Sequence, residues 1–182
     1  MRIISGRFRG RRLAAPPTRR VRPTPDRVRE ALFSILGRRV QDARVLDLYA
    51  GTGALGLEAL SRGAARAVFV DSHPKSVDMV RKNIRVCGLQ EGTVRVLCMS
   101  ALAAVELLER EEETFHLIFM DPPYGKGLVP QTLEPLHKVS TPDTLVVAEH
   151  APQDPVPSPC HGWTILDQRR YGDTTLSFFV LP

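Results

Sequence analysis

The segment Leu117-Ile118-Phe119-Met120-Asp121-Pro122-Pro123-Tyr124 puts a carboxylate, two prolines and an aromatic ring directly after an apolar run. The prolines stiffen the segment and leave carbonyls without neighbouring N–H competitors. Asp121 and the Pro122 carbonyl can then both accept from one NH2 group, and Tyr124 offers a flat face on which a base can stack. Such a clamp suits an aromatic amine taken out of a nucleic-acid stack. The amine of a purine is a poor nucleophile because its lone pair is delocalised into the ring. Two acceptors on its hydrogens favour a pyramidal nitrogen and free that lone pair. Catalysis at such a site is mostly positioning and electrostatics, without a full general base.

A second motif lies upstream. Val45-Leu46-Asp47-Leu48-Tyr49-Ala50-Gly51-Thr52-Gly53-Ala54-Leu55-Gly56 reads as a strand, a G-x-G-x-x-G loop and the start of a helix. Glycines let a ligand approach the backbone, and the helix N-terminus offers free N–H groups. Asp71 closes the next strand, where a carboxylate can accept both hydroxyls of a ribose. Alone, these features fit a dinucleotide fingerprint as well as another adenosine cofactor. Asp47 shifts the balance. An acid beside a pyrophosphate would repel it, whereas beside a cationic cofactor carrying an ammonium group it is useful. S-adenosylmethionine is such a cofactor, with a sulfonium, an amine, a ribose and no phosphate. The alternative for Asp47 is a helix or loop cap.

The elements that must hold these motifs alternate. Strands are expected over 44–49, 67–71, 94–98, 116–121 and 144–149, with helices over 54–62, 74–87, 101–112 and near 129–138. Alternating βα units imply a parallel sheet covered by helices, with ligands at the carboxyl ends of its strands. Two further extended runs, 163–171 and 174–181, meet at Gly172-Asp173 and are expected to finish the sheet as antiparallel strands. Upstream, Thr24, Pro25 and Asp26 have the residue types of a helix start. Val28, Ala31, Leu32 and Ile35 should form the inner face of that helix, with Arg27 and Arg29 pointing elsewhere.

Charge divides the chain. Residues 1–39 hold twelve Arg, no Lys and only Asp26 and Glu30 as acids, a charge of +10, and the remainder carries −5. A basic arm on an acidic domain points to a polyanionic partner, most often nucleic acid. Gly6 and Gly10 punctuate a short apolar and basic stretch that reads as a small hairpin. The expected division is a basic arm over 1–23 and one further domain over 24–182, within the usual size range. No apolar run approaches the ~20 residues of a membrane-spanning helix. Cys87, Cys98 and Cys160 fit reduced thiols of a cytoplasmic protein better than a disulfide framework. The five His lack metal-ligand spacing, so no metal is expected.

Three blocks of this chain closely resemble the RsmD family of bacterial small-subunit ribosomal RNA guanine-N2 methyltransferases. They are Arg2-Ile-Ile-Ser-Gly with Arg9-Gly-Arg and the run from Arg22-Pro-Thr-Pro-Asp-Arg to Leu36, then Leu46 to Gly63, then Asp121-Pro-Pro-Tyr124 with Tyr171-Gly-Asp-Thr174. The resemblance implies a Rossmann-like class I methyltransferase fold: a seven-stranded mixed sheet with an antiparallel last strand. It implies S-adenosylmethionine held by Asp47, Tyr49, Ala50, Gly51, Thr52, Gly53, Asp71, Ser72, Ser100, Ala101 and Asp121. It implies a target guanine held by Asp121, Pro122, Pro123 and Tyr124. It implies RNA bound through Arg2, Arg7, Arg9, Arg11, Arg12, Arg22 and Arg27. The implied substrate is 16S ribosomal RNA, in assembled or assembling small-subunit particles; for the oligomeric state a monomer is the default expectation. Relatives often have Asp or Asn at position 100, Phe at 124 and Glu at 71. An adenine-N6 DNA methyltransferase would share the clamp but usually carries a larger recognition region. Protein glutamine methyltransferases favour Asn at 121, and a NAD oxidoreductase explains neither Asp47 nor the clamp. A ribosome-assembly factor that only binds RNA would not need Asp47, Asp71 and Asp121 together.

Overall fold

A computed structural model describes residues 1–15, 26–90, 92–154 and 156–182. Arg22, and Thr24 and Pro25 of the expected helix start, lie outside the described residues.

Seven strands form one sheet: β1 Arg44–Leu48, β2 Arg66–Asp71, β3 Val94–Cys98, β4 Phe115–Met120, β5 Ser140–His150, β6 Thr164–Tyr171 and β7 Thr174–Val180. Their order is β3-β2-β1-β4-β5-β7-β6. The first five run parallel, while β7 runs antiparallel between β5 and β6. The chain winds outward from β1 in one direction and from β4 in the other. The β1–β4 junction is therefore the point where the crossovers diverge and a crevice opens at the carboxyl edge. Register there is strict, with Asp47 opposite Phe119 and Leu48 opposite Met120. Asp47, and Asp121 just after Met120, thus arrive on neighbouring strands at one edge.

Alternation along the strands splits the core into two layers. Val45, Phe69, Leu117, Phe119, Val147 and Phe178 face α1 (Asp26–Leu36), α2 (Ala54–Ser61) and α3 (Pro74–Cys87). Leu46, Val68, Ile118, Met120, Val146 and Phe179 face α4 (Ala101–Arg110), α5 (Leu128–Leu136) and the indole of Trp163. Phe178 and Phe179 are both buried because β7 lies inside the sheet with both faces covered.

The inner face of α1 differs from the expected one. It consists of Val28, Arg29, Leu32, Phe33 and Leu36, while Ile35 is 41% exposed. Arg29 is 1% exposed and donates from Nη2 to the Arg2 carbonyl (2.6 Å) and to Asp26 Oδ1 (3.1 Å). The reason is that α1 lies under the N-terminal hairpin, so the face expected to meet solvent meets that chain instead.

The hairpin itself is closed by an Arg2–Arg12 bridge and by Ile3 N–H to the Arg11 carbonyl at 3.0 Å. Ile3, Phe8 and Leu13 are buried in the first core layer. Glu58 of α2, fully buried, accepts from the Ile4 amide (2.8 Å), the Ser5 amide (3.0 Å) and Arg62 Nε (2.7 Å). Gly6 has φ +82°, and a Cβ there would lie 1.8 Å from the Ser61 carbonyl oxygen. Only glycine permits this close approach.

Candidate active site

The loop after β1 reverses through three left-handed residues, Tyr49 (φ 59°), Gly51 (φ 55°) and Gly53 (φ 75°). Tyr49 is unusual in that region. Its hydroxyl lies 2.7 Å from Thr132 Oγ1 on α5, which fixes the ring over the loop. The third glycine of the motif serves packing. A Cβ on Gly56 would lie 2.4 Å from Phe69 Cε1, so its absence lets α2 settle onto β2. Asp71 Oδ2 accepts from the Gly51 amide at 2.9 Å and its Oδ1 from the His73 amide at 2.8 Å.

Asn83 is a site residue that sequence reasoning misses. It is fully buried on α3 and donates to the Thr52 carbonyl (2.9 Å) and the Ala14 carbonyl (3.1 Å), while accepting from the Ala14 amide (2.7 Å). One side chain thereby ties the glycine loop to the hairpin. The available signal is a polar residue beside the apolar stripe of Val77, Val80 and Ile84.

A cavity of about 150 Å3 opens beside this loop, lined by Tyr49, Val70, Asp71, Ser72, Met99, Ser100, Ala101 and Leu102, with Leu128, Gln131 and Thr132 from α5. Tyr49, Asp71, Ser72, Ser100 and Ala101 thus line one cavity. Ser100 also caps α4, accepting from the Ala103 amide at 3.3 Å. Of the other loop residues expected to hold the cofactor, Ala50, Gly51, Thr52 and Gly53 do not line this cavity, and Ala50 and Thr52 are each only 9% exposed. The lining suits an adenosine: apolar walls, an acid at one end, and neither Lys nor Arg for a phosphate.

Asp47 lies 2% exposed beneath the loop, its Oδ2 accepting from the Gly56 amide at 2.9 Å. Burial pushes its carboxyl up to about 7, against the Gly56 hydrogen bond and with help from the Asp71 charge. Asp121 is raised well above the ordinary carboxylate range by burial, then by the charges of Glu149 and Asp47. Pro122 is buried, and Pro123 and Tyr124 are exposed. Beside the clamp lies a second cavity of about 240 Å3, walled by residues 122–130 and by His150, Gln153, Asp154 and Val156. Glu149, near the end of β5, is a second residue outside the expected set. It is 5% exposed and accepts the Tyr124 hydroxyl hydrogen at 2.9 Å. Its signal is an acid at the carboxyl end of an apolar strand, the same signal that marks Asp121. Asp47, Asp121 and Glu149 gather three carboxyl groups at this edge, and a cofactor bearing a sulfonium and an ammonium would favour their ionised forms.

The described arginines expected to contact RNA line neither of these two cavities. Arg2, Arg7, Arg9, Arg11 and Arg12 are exposed on the hairpin and Arg27 is exposed on α1. Arg7 and Arg11 lie over the Phe8 ring at 5.4 and 5.2 Å, and Arg11 Nη1 donates to the Val86 carbonyl at 2.7 Å.

A parallel sheet with the last strand inserted antiparallel, and a cavity at the first crossover, define the fold of the S-adenosylmethionine-dependent methyltransferases. The SAM-dependent methyltransferase of Agrobacterium tumefaciens shares it, with a TM-score of 0.63 at 20% identity over 85% of this chain and 61% of that one. Closer is a hypothetical protein of Thermus thermophilus, with a TM-score of 0.84 at 32% identity over 100% of this chain and 99% of that one. The family model described as Conserved hypothetical protein 95 matches residues 1–180. The chain belongs to that family, the RsmD family. "Ribosomal RNA small subunit methyltransferase D" of Escherichia coli K12 is 33% identical over 181 residues, covering 98% of this chain and 89% of the relative.

Proposed function

We propose that this protein transfers a methyl group from S-adenosylmethionine to the exocyclic N2 amine of a guanine in 16S ribosomal RNA. The observation that carries the reading is the Asp121-Pro122-Pro123-Tyr124 clamp, set on an edge rich in carboxyl groups one strand from the cavity lined by Tyr49, Asp71 and Ser100. The name of the E. coli relative supports the ribosomal substrate.

In this reading Tyr49, Asp71, Ser72, Ser100 and Ala101 hold the adenosine, with Asp71 on the ribose, and Asp47 faces the amino end. When bound, the cofactor supplies an electrophilic methyl group on a sulfonium. The chain does the rest by placement. Asp121 and the Pro122 carbonyl accept from the guanine amine and turn its lone pair out of the ring. Tyr124 stacks on the base, and the apolar cavity walls exclude water, which strengthens these polar contacts. The hairpin arginines meet phosphates of the RNA, within a small-subunit particle, and bind them without reading sequence.

The test is transfer of a labelled methyl group to naked 16S RNA, to unmodified small-subunit particles and to DNA, with the product nucleoside identified by mass. Label on the exocyclic amine of guanosine is the expected result. Label in adenine of DNA, or tight cofactor binding with no label in any substrate, overturns the reading.

A further inference from the structure

Tyr124 stands out as a half-exposed aromatic whose polar end is anchored. The residue is 43% exposed, yet its hydroxyl donates to the buried carboxylate of Glu149 at 2.9 Å and lies 3.5 Å from Thr174 Oγ1. A hydroxyl held from two strands restrains the swing of the ring about its point of attachment. Burial and the neighbouring acids raise the phenol's pKa, so it stays a donor.

The topology explains how these residues meet. β7 runs against β5, with His150 opposite Thr175 and Glu149 opposite Leu176. The start of β7 therefore lies at the carboxyl edge, where β4 ends in the clamp. The turn Tyr171-Gly172-Asp173-Thr174 joins β6 to β7 and is closed by the Tyr171–Thr174 pair. Gly172 has φ 63°, the left-handed conformation such a turn requires. This run stands out in the sequence, and the clamp alone assigns it no work.

The geometry points to Glu149 and Thr174 as positioning residues that fix the angle of the Tyr124 ring for the incoming base, making the β6–β7 turn a working part of the substrate site. The inference rests on the proposed transfer to a nucleobase. A free ring would sample several orientations, and holding one of them in advance lowers the ordering cost of stacking. Phenylalanine at this position would stack but could not be held in this way.

The test has two arms on the full chain. In the first, the protein is labelled with 3-fluorotyrosine, which gives three signals because the chain has three tyrosines. Tyr124→Phe identifies the relevant signal. Glu149→Ala should move that signal and leave the other two in place, and Thr174→Val should move it while leaving that of Tyr49 in place, Tyr171 being the cross-strand partner of Thr174. Glu149→Gln keeps an acceptor oxygen and should return the signal most of the way. An unmoved Tyr124 signal in Glu149→Ala overturns the tether, whatever the substrate proves to be.

In the second arm, methyl transfer is measured on the best RNA substrate. Tyr124→Phe should raise KM for RNA several-fold with a smaller change in kcat, and S-adenosylhomocysteine should bind as before. Glu149→Ala should lose about as much, and Glu149→Gln should recover most of it. At a pH high enough that the rates of the single variants no longer change with pH, so that the Glu149 charge on Asp121 drops out, the double variant Tyr124→Phe/Glu149→Ala should be no worse than the poorer single one, since both remove one contact. Losses that multiply in the double variant would give Glu149 a separate role and overturn the proposal. Wild-type protein that methylates no RNA would instead sink the functional reading, with the first arm still deciding the tether.

Discussion

Asp71 and Gly51 are joined by a 2.9 Å hydrogen bond from the Gly51 amide to Asp71 Oδ2. The acid expected to hold a ribose thus also fastens the glycine loop, and its other oxygen holds the His73 amide. Each carboxylate oxygen retains a lone pair for a further donor. Asp71→Ala should weaken S-adenosylhomocysteine binding by roughly 1–3 kcal/mol, as for loss of a charged acceptor. It should also lower the melting temperature of the free protein, because two amides lose their partner. Calorimetry and thermal melting check the two effects. Lost affinity without lost stability would assign Asp71 to the ligand alone.

Asp121 lies at the clamp and outside the lining of the adenosine cavity. Asp121→Ala should therefore abolish methyl transfer while cofactor affinity changes only a few-fold. Its raised carboxyl means that the accepting, ionised form grows in as pH rises. Activity of the wild type should accordingly climb with pH across the raised pKa. A rate that does not change with pH while the protein stays folded would contradict this.

Asp47 gives a stability prediction with a definite sign. The folded protein holds its carboxyl proton up to about 7. An unfolded aspartate releases it near ~3.9. Between those values the native state binds more protons, so stability falls as pH rises. Asparagine has no such proton and can still accept from the Gly56 amide. The melting temperature of Asp47→Asn, relative to wild type, should therefore increase from about pH 5 to pH 8. A constant difference would mean that Asp47 ionises normally.

Gly56→Ala tests the packing role of the third glycine. The added methyl would meet Phe69 Cε1 at 2.4 Å and Cζ at 2.9 Å, in a fully buried site. Overpacking of this kind costs about 1–3 kcal/mol. Urea denaturation should show that loss, with weaker cofactor binding if α2 is pushed off β2.

The hairpin must be tested by charge and not by deletion, since Ile3, Phe8 and Leu13 are part of the core. Arg9→Gln/Arg12→Gln should weaken RNA binding and reduce the salt dependence of the affinity, each lost phosphate contact lowering the slope by about one. An unchanged slope would remove these two arginines from the RNA interface.

Much of this is legible in sequence because it is local. Strands and crossover helices follow from periodicity, and loops from glycine and proline. The glycine loop and the clamp are contiguous runs whose residue types state their own chemistry. Asp71 is legible because a strand that ends in an acid, one crossover after a glycine loop, must end beside that loop.

Other features depend on which surfaces meet. The periodicity of α1 could not show that Arg29 would face inward, because the neighbour that buries it is the hairpin, 27 residues away along the chain. Asn83 reads as a polar residue on an amphipathic helix until Ala14 and Thr52 are brought to it. Glu149 and Thr174 flank Tyr124 only because β7 inserts antiparallel between β5 and β6. The sequence by itself determined the elements, the two ligand-facing motifs and the segregation of charge, since each is set by neighbours a few residues apart. The tertiary structure alone decided which buried polar groups find partners, since hydrogen bonds across 25 to 69 residues exist only once the sheet order and register are set.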